Sequence, residues 1–349
     1  MPAFRANRYY LYFVLVSGAI FSFAYGVHSD ASGSMSQPSQ LATQDFWPYT
    51  SRFLVAWFSY TIFGGVIVDS LAFRIAFSFF CWIVMCLMLP AFAERLRCKL
   101  ETRHVFAAFV IIMLSHYCVP NVFYPYFIYD MPAIIFYLVV FLLLTDPSRA
   151  KIVLGCLLSL LFELNREPIA VALFHAAGWW AIGNHGAPKP STLSIWKWVS
   201  GLFRKTFPSD NTPFVILAVG VTLVAMCVLR EVLMYIQTGT IIVADEAHFL
   251  EDDHLRITAN FARLFTSPEF FQQVLATGFG LIFCLPVVFS RLNWPVVGMV
   301  IASIVPLTIL LFTNFFSELR IYDEYVPLMS CILATMLNLG NAPVEAEAS

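Results

Sequence analysis

The chain has 349 residues, of which 60% are hydrophobic and only 12% are charged, with a formal net charge of −2. A soluble domain carries roughly 25% charged residues, so this composition excludes an ordinary soluble domain and predicts a protein that uses lipid as solvent. The near-neutral charge gives no electrostatic basis for binding nucleic acid. The 8 cysteines are scattered without a CxxC pair, so we predict neither a zinc site nor a disulfide framework.

Apolar runs that match the thickness of a bilayer recur along the chain, since a spanning helix needs about 20 mostly apolar residues. The first run lacks a small-residue cleavage site, so we interpret it as a retained helix rather than a signal peptide. We predict an all-α fold: a polytopic transmembrane helix bundle of about ten spans that forms one domain over residues 1–349. The predicted spans are 9–27, 73–93, 104–121, 129–145, 150–165, 167–183, 212–235, 270–290, 294–313 and 322–340.

The segment 53–70 is ambiguous, because it is apolar enough to be an eleventh span but contains Gly64-Gly65. Lysine and arginine accumulate on the cytoplasmic side of membrane proteins. If 53–70 lies in the interface and the N-terminus is inside, 13 of the 20 basic residues are cytoplasmic. If it spans and the N-terminus is outside, the count is 12 of 20. We prefer the first arrangement, because Arg5 and Arg8 directly precede the first span.

This arrangement places both termini in the cytoplasm and most acidic and aromatic loop residues on the outer face. The first outer loop is 28–72, with an interfacial helix, and a second outer loop is the acidic segment 236–269. The first loop begins with His28-Ser29-Asp30. A carboxylate at this position suits a general base that deprotonates an acceptor hydroxyl, although a simple polar loop start explains it equally.

Two further polar segments lie between the apolar runs. Asp130 precedes Met131-Pro132, a pattern typical of a helix N-cap with proline in the first turn. Asn165-Arg166-Glu167 forms a charged turn between two apolar runs. Arginine binds phosphate in a bidentate manner, so Arg166 suits a phosphorylated lipid, while a salt bridge that ties the turn is the alternative.

The segment 314–325 is the most informative one, because four charges separate two strongly apolar runs without a long loop. We expect an α-helical geometry that places Ser317, Arg320 and Glu324 on one face, at i, i+3 and i+7. Charged groups at membrane depth mark functional sites, and an interfacial salt-bridge network is the alternative.

The acidic outer loop offers one weak metal motif, in which His248 and Asp252 are spaced at i and i+4. This spacing suits a divalent cation, although a solvated acidic loop explains the residues as well. We predict His116 and His175, which lie in apolar runs, to be buried core histidines. The sequence contains no P-loop, HExxH or GxSxG motif.

The chain resembles the integral membrane glycosyltransferases of the GT-C type, which use polyprenyl-phosphate-linked sugars. The resemblance rests on His28-Ser29-Asp30 with the surface-seeking segment 45–70, on Asn165-Arg166-Glu167, and on Glu318-Leu319-Arg320-Ile321-Tyr322. It implies an enzyme of a bacterial inner membrane that moves a sugar from a polyprenyl-phosphate donor to a glycan, lipid or protein acceptor on the outer face.

The resemblance also implies roles for single residues. Asp30 would be the catalytic base, and Arg166 and Arg320 would hold the donor phosphate. The remaining residues of the expected substrate-binding set are Asp130, Asn165, Glu167, Glu318, Tyr322 and Asp323. The alternatives are a transporter or flippase of a lipid-linked or anionic substrate, since intramembrane charges suit that function too, and a non-catalytic membrane subunit.

Overall fold

The computed structural model describes residues 8–31, 54–97, 102–117, 128–165, 169–183, 211–238, 266, 293–313 and 319–337. Every regular element in these ranges is helical, as the all-α prediction required. The α-helices are α1 (Arg8–Ala31), α2 (Leu54–Phe63), α3 (Gly65–Val68), α4 (Leu71–Arg95), α5 (Thr102–Tyr117), α6 (Asp130–Leu144), α7 (Arg149–Glu163), α8 (Ala170–Gly178), α9 (Thr212–Thr238), α10 (Trp294–Ala302), α11 (Ile304–Thr313) and α12 (Val326–Leu337). A π-helical turn (Trp179–Gly183) continues α8, and a 3₁₀ segment (Leu319–Tyr325) leads into α12.

Three helices within the described ranges are long and apolar enough to cross a membrane. They are Tyr9–Val27 in α1, Leu71–Arg95 in α4 and Thr212–Leu233 in α9. The other apolar helices are shorter. These three helices indicate a membrane protein, while the predicted span 270–290 lies outside the described residues.

The surface of α9 supports this conclusion. Leu217, Val221, Val224 and Val228 lie on one side of the helix and are exposed. A contiguous exposed apolar stripe of this kind is unusual on a soluble monomer. It is the expected surface of a helix that faces lipid.

Helices α1 and α4 pack against each other in antiparallel orientation. The Tyr10 hydroxyl donates to the Cys86 carbonyl over 2.9 Å near the start of α1. Farther along, Gly18 lies against Trp82, and Phe21 stacks on Trp82 with ring centroids 4.7 Å apart. The small residue allows the large ring of Trp82 to approach the α1 backbone.

One end of the bundle, here called the basic end, carries Arg95, Asp146 and Lys151. The Asp146 carboxylate accepts a hydrogen bond from Lys151 Nζ over 2.9 Å and lies 3.6 Å from Arg95 Nη2. Burial alone would raise the pKa of Asp146, but the hydrogen bonds from Lys151 and from the Ser148 backbone, with the charges of Lys151 and Arg95, lower that pKa below its ordinary value. This turn therefore joins α4, α6 and α7 electrostatically.

The opposite end, here called the acidic end, carries the first residue of α6, Asp130, and the last of α7, Glu163. Helices α6 and α7 run in opposite directions between the two ends. The Leu54 N–H at the start of α2 donates to the Leu164 carbonyl over 2.9 Å, so α2 begins at this end.

The ambiguous segment is not one continuous helix, because Gly64 separates α2 from α3 with a φ of 77°, a conformation that favours glycine. Ser70 then caps α4, its hydroxyl accepting from Phe73 N–H over 3.2 Å. Because α4 ends at the basic end with Arg95, it begins at the acidic end. The chain thus leaves α3 at the same end of the bundle where it entered α2.

Candidate functional site at the acidic end

Buried ionisable side chains converge at the acidic end. Asp130, Glu163, Asp323 and Glu324 are all buried, and Asp323 and Glu324 have no exposed surface. Burying a carboxylate in an apolar bundle costs several kcal/mol unless partners compensate. Such a group inside a membrane protein is a functional-site hypothesis by default.

The best-defined contact of this cluster joins α5 to the 3₁₀ segment. The Tyr117 hydroxyl donates to Asp323 Oδ1 over 2.6 Å. His116 Nε2 lies 3.7 Å from the same oxygen, and both side chains of that pair are fully buried. Adjacent residues at the end of α5 therefore face one carboxylate from a segment that lies 206 positions later in the chain.

Helix α1 closes this contact from one side. The rings of Tyr25 and Tyr117 meet edge to face with centroids 5.0 Å apart, and Phe21 also meets Tyr117 edge to face. Asp130 and Asp323 both act electrostatically on the Tyr117 hydroxyl. Tyr117 is thus the residue around which α1, α5, α6 and the 3₁₀ segment meet.

Asp130 does not occupy the helix position that the sequence predicted. It is the first helical residue of α6, Tyr129 takes the N-cap position, and no side chain there forms a capping hydrogen bond. The N-cap prediction for Asp130 is therefore wrong, while Pro132 does lie in the first turn as expected. Asn165 also contacts this turn, with its Nδ2 donating to the Tyr129 carbonyl over 3.1 Å.

The segment before α12 is a 3₁₀ helix from Leu319 to Tyr325 rather than an α-helix. Side chains three positions apart are eclipsed in a 3₁₀ helix, so positions 320 and 324, which are four apart, do not share the face that an α-helix would give them, while Ser317 lies outside the described residues. Tyr322 and Tyr325 lie three positions apart and do share a face, as the sequence predicted for this pair, with ring centroids 6.5 Å apart. Tyr322, Asp323, Glu324 and Tyr325 are all buried.

A second polar network lies deeper in the bundle, beside Tyr325. His175 of α8 hydrogen bonds through Nδ1 to the Tyr137 hydroxyl of α6 over 2.7 Å. Its Nε2 hydrogen bonds to Ser303 Oγ, at the junction of α10 and α11, over 2.8 Å. The Tyr325 ring meets the His175 ring edge to face with centroids 5.4 Å apart. His175 is thus buried with both nitrogens hydrogen bonded, as the prediction of a core histidine required.

The predicted site residues fall into three groups. Asp130, Asn165, Tyr322 and Asp323 lie at the acidic end with described side chains. The backbone places Asp30 in the last turn of α1 and Arg320 in the 3₁₀ segment, while their side chains lie outside the described part. Arg166, Glu167 and Glu318 lie outside the described residues, as do His248 and Asp252 of the weak metal motif.

Within the described residues, no group of three or more histidine, cysteine, aspartate or glutamate side chains is arranged to hold a metal ion.

Sequence reasoning missed Tyr117 and Tyr137 as members of the two networks. Both lie in apolar runs, where a tyrosine resembles an interfacial aromatic. The available signal was the position of a tyrosine relative to other polar residues on the same helix. Tyr117, for example, directly follows His116. Comparison of the chain with protein-family models, curated proteins and solved structures found no match.

Proposed function

We propose that this protein is a membrane glycosyltransferase that moves a sugar from a polyprenyl-phosphate-linked donor to an acceptor at the acidic end. The observation that carries the proposal is the convergence of four buried carboxylates, Asp130, Glu163, Asp323 and Glu324, at one end of an apolar helical protein. Such groups are costly in hydrocarbon and are kept where they act on a substrate.

The proposed topology is a bundle of about ten spans with the basic end and both termini in the cytoplasm of a bacterial cell. The basic residues Arg95 and Lys151 at one end support this orientation, because cytoplasmic loops carry an excess of lysine and arginine. The return of the chain to the acidic end through α2 and α3 supports an interfacial position for 54–68.

The proposed reaction inverts the anomeric carbon of the sugar. The acceptor oxygen forms a bond to the anomeric carbon. The bond between that carbon and the phosphate oxygen breaks, and polyprenyl phosphate leaves with the bonding electrons. Asp30 takes the proton of the acceptor hydroxyl as general base. Arg166 and Arg320 bind the phosphate, whose negative charge grows as the bond breaks.

Replacement of Asp30 by Asn tests this mechanism. With purified protein, a polyprenyl-phosphate sugar and an acceptor extract, we expect transfer to fall at least about 100-fold, the scale of a positioned general base. Asp69→Asn is the matched control, because Asp69 lies between α3 and α4, next to the capping residue of α4, and has no role in the mechanism. Near-normal turnover of the Asp30 variant would remove that residue from the reaction.

Mass spectrometry of cell-envelope glycans and lipids, with and without the gene, tests the function itself. A glycan or glycolipid that loses one sugar in the deletion strain supports a transferase. An unchanged sugar composition with lipid-linked substrate accumulating on the cytoplasmic side would instead support a transporter or flippase. If neither the sugar composition nor the amount of lipid-linked substrate changes, a non-catalytic membrane subunit is the remaining function.

A further inference from the structure

The network around His175 determines the position of every hydrogen it contains. Ser303 Oγ donates its single hydrogen to the Met299 carbonyl over 2.8 Å. A hydroxyl has one hydrogen to donate and two lone pairs to accept with. The hydrogen between Ser303 and His175 must therefore be carried by Nε2 of the histidine.

The other side of the ring follows from the same counting. The Tyr137 hydroxyl has His175 Nδ1 as its one hydrogen-bond partner among the described residues. If Nδ1 carried a hydrogen as well, the Tyr137 hydrogen would lack an acceptor inside a fully buried site, which costs about 1–3 kcal/mol. Tyr137 therefore donates to Nδ1, and the ring is neutral.

The direction of these bonds bears on what the network can do. The hydrogens run from Tyr137 to His175, from His175 to Ser303, and from Ser303 to the Met299 carbonyl. A backbone carbonyl cannot pass a proton on, so the chain of bonds ends there. The arrangement joins α6, α8 and α10 rigidly and offers no continuous path for protons.

The His175 ring also contacts the candidate site. The buried Tyr325 ring meets it edge to face, and the neighbouring Glu324 acts electrostatically on both Tyr137 and Tyr325. Among the described residues, the titratable groups near the ring on the elements packed against it include Tyr137, Tyr325, Glu324 and also Cys331 of α12, which acts electrostatically on Tyr137. A residue that fixes the positions of Tyr137 and Tyr325 therefore determines how their side chains are placed next to Glu324.

We propose that His175 is a positioning residue that, as a neutral imidazole with its hydrogen on Nε2, holds Tyr137 and Ser303 and fixes the ring of Tyr325 beside the acidic end. The role is independent of the proposed sugar transfer, because it follows from the hydrogen bonds alone. It gives His175 a static function, in contrast to the proton carrier that a buried histidine provides in many transporters.

Nitrogen NMR on the full-length protein in lipid nanodiscs tests the protonation state. The histidines are labelled with ¹⁵N, and the His175→Gln variant identifies the His175 signals. We expect an unprotonated Nδ1 and a protonated Nε2 that stay unchanged between about pH 5 and 8, the range in which an ordinary histidine gains a proton. A ring protonated on both nitrogens, or on Nδ1 alone, overturns the proposal.

Two substitutions test the positioning role. Glutamine supplies an acceptor oxygen and a donor nitrogen and can replace both bonds, whereas His175→Leu can replace neither. With 3-fluorotyrosine at position 325, we expect the ¹⁹F resonance to stay in place in His175→Gln and to shift in His175→Leu. A fluorotyrosine at position 10, which bonds to Cys86 in the α1–α4 contact, is the control and stays in place in both.

Equal shifts in the glutamine and leucine variants, or none in the leucine variant, overturn the proposal. If His175→Leu fails to fold, the variants Tyr137→Phe and Ser303→Ala take its place in the test, because each of them removes one bond of the network. Each should then shift the Tyr325 signal and leave the Tyr10 signal unchanged, and a Tyr325 signal that stays in place in both overturns the proposal.

Discussion

At the scale of single residues, the acidic end depends on neutral donors that face buried carboxylates. A buried hydrogen bond contributes to stability because removal of its donor leaves the acceptor unsatisfied, which costs about 1–3 kcal/mol. The hydroxyl of Tyr117 supplies such a bond to Asp323 at 2.6 Å. This contact offsets part of the cost of burying the Asp323 carboxylate.

Tyr117→Phe should therefore destabilise the protein by about 1–3 kcal/mol, since it removes the donor and keeps the ring. In a double-mutant cycle, Tyr117→Phe should cost much less when Asp323 is already Ala, which removes the acceptor. Chemical unfolding in detergent measures both effects. Tyr12→Phe, on the exposed side of α1, is the control and should be neutral. Additive costs in the cycle would contradict a direct Tyr117–Asp323 bond.

The Asp146 carboxylate at the basic end should make stability depend on pH. Its pKa is lowered in the folded protein, so its contribution is fully present above its unfolded pKa of about 3.9 and is lost as the pH falls through the lower folded pKa. Asp146→Asn should therefore be destabilising at pH 7, and the difference from the wild type should shrink as the pH falls below about 4. Unfolding midpoints of both proteins across this range test the sign. A difference that stays constant as the pH falls below about 4 would show that the carboxylate acts through packing alone.

At the scale of secondary-structure elements, hydropathy predicted where most described helices lie but not how they are built. The segment 294–313 was predicted as one span, yet Ser303 separates α10 from α11. Pro306 lacks the N–H that would bond to the Ala302 carbonyl four residues earlier, which weakens a helix at that point. The π turn after α8 and the 3₁₀ segment before α12 depend on tertiary packing, which no periodicity in the sequence encodes.

The crossing of the π-extended α8 with α10 rests on two glycines. A methyl group on either Gly178 or Gly298 would collide with the backbone of the other helix. Gly178→Ala or Gly298→Ala should therefore destabilise the protein by about 1–3 kcal/mol through overpacking. Gly220→Ala is the matched control, because open space surrounds Gly220 in the middle of α9 and alanine favours a helix by about 1 kcal/mol.

Unfolding of the three variants under the same detergent conditions measures these effects. A Gly178 variant as stable as the Gly220 variant would contradict the close crossing. The hydrogen bond between His175 and Ser303 joins the same two helices close to this crossing. The ¹⁹F resonance of a fluorotyrosine at position 325 should therefore also shift in Gly178→Ala.

At the scale of the whole molecule, the sequence predicted the helical class, while the convergence of distant residues appears only in the fold. Charge and hydropathy identified Asp130, Asn165, Tyr322 and Asp323 as candidates, and the structure brings them to one end. Their contact residue Tyr117 was not predicted, because a pairing over 206 positions leaves no local pattern. The sequence also did not predict that 319–325 is a 3₁₀ helix. It therefore did not predict on which face of that helix each charged residue lies.

Cysteine labelling in intact cells tests the proposed orientation of the two ends. In a background without native cysteines, an impermeant maleimide should label cysteines at positions 30, 69 and 320 from the outside. A cysteine at position 151, at the basic end, should react only after the membrane is permeabilised. Labelling of positions 30 and 320 from opposite sides would contradict a single outward-facing site.

The separation of Tyr117 from Asp323 has a consequence for biosynthesis. When the ribosome has inserted α5, the carboxylate that Tyr117 binds has not yet been translated, and it emerges 206 codons later. The acidic end therefore assembles only after the 3₁₀ segment has been synthesised. A premature stop codon before the 3₁₀ segment would yield a nascent product that lacks Asp323, and its unsatisfied polar groups would mark it for degradation by membrane proteases.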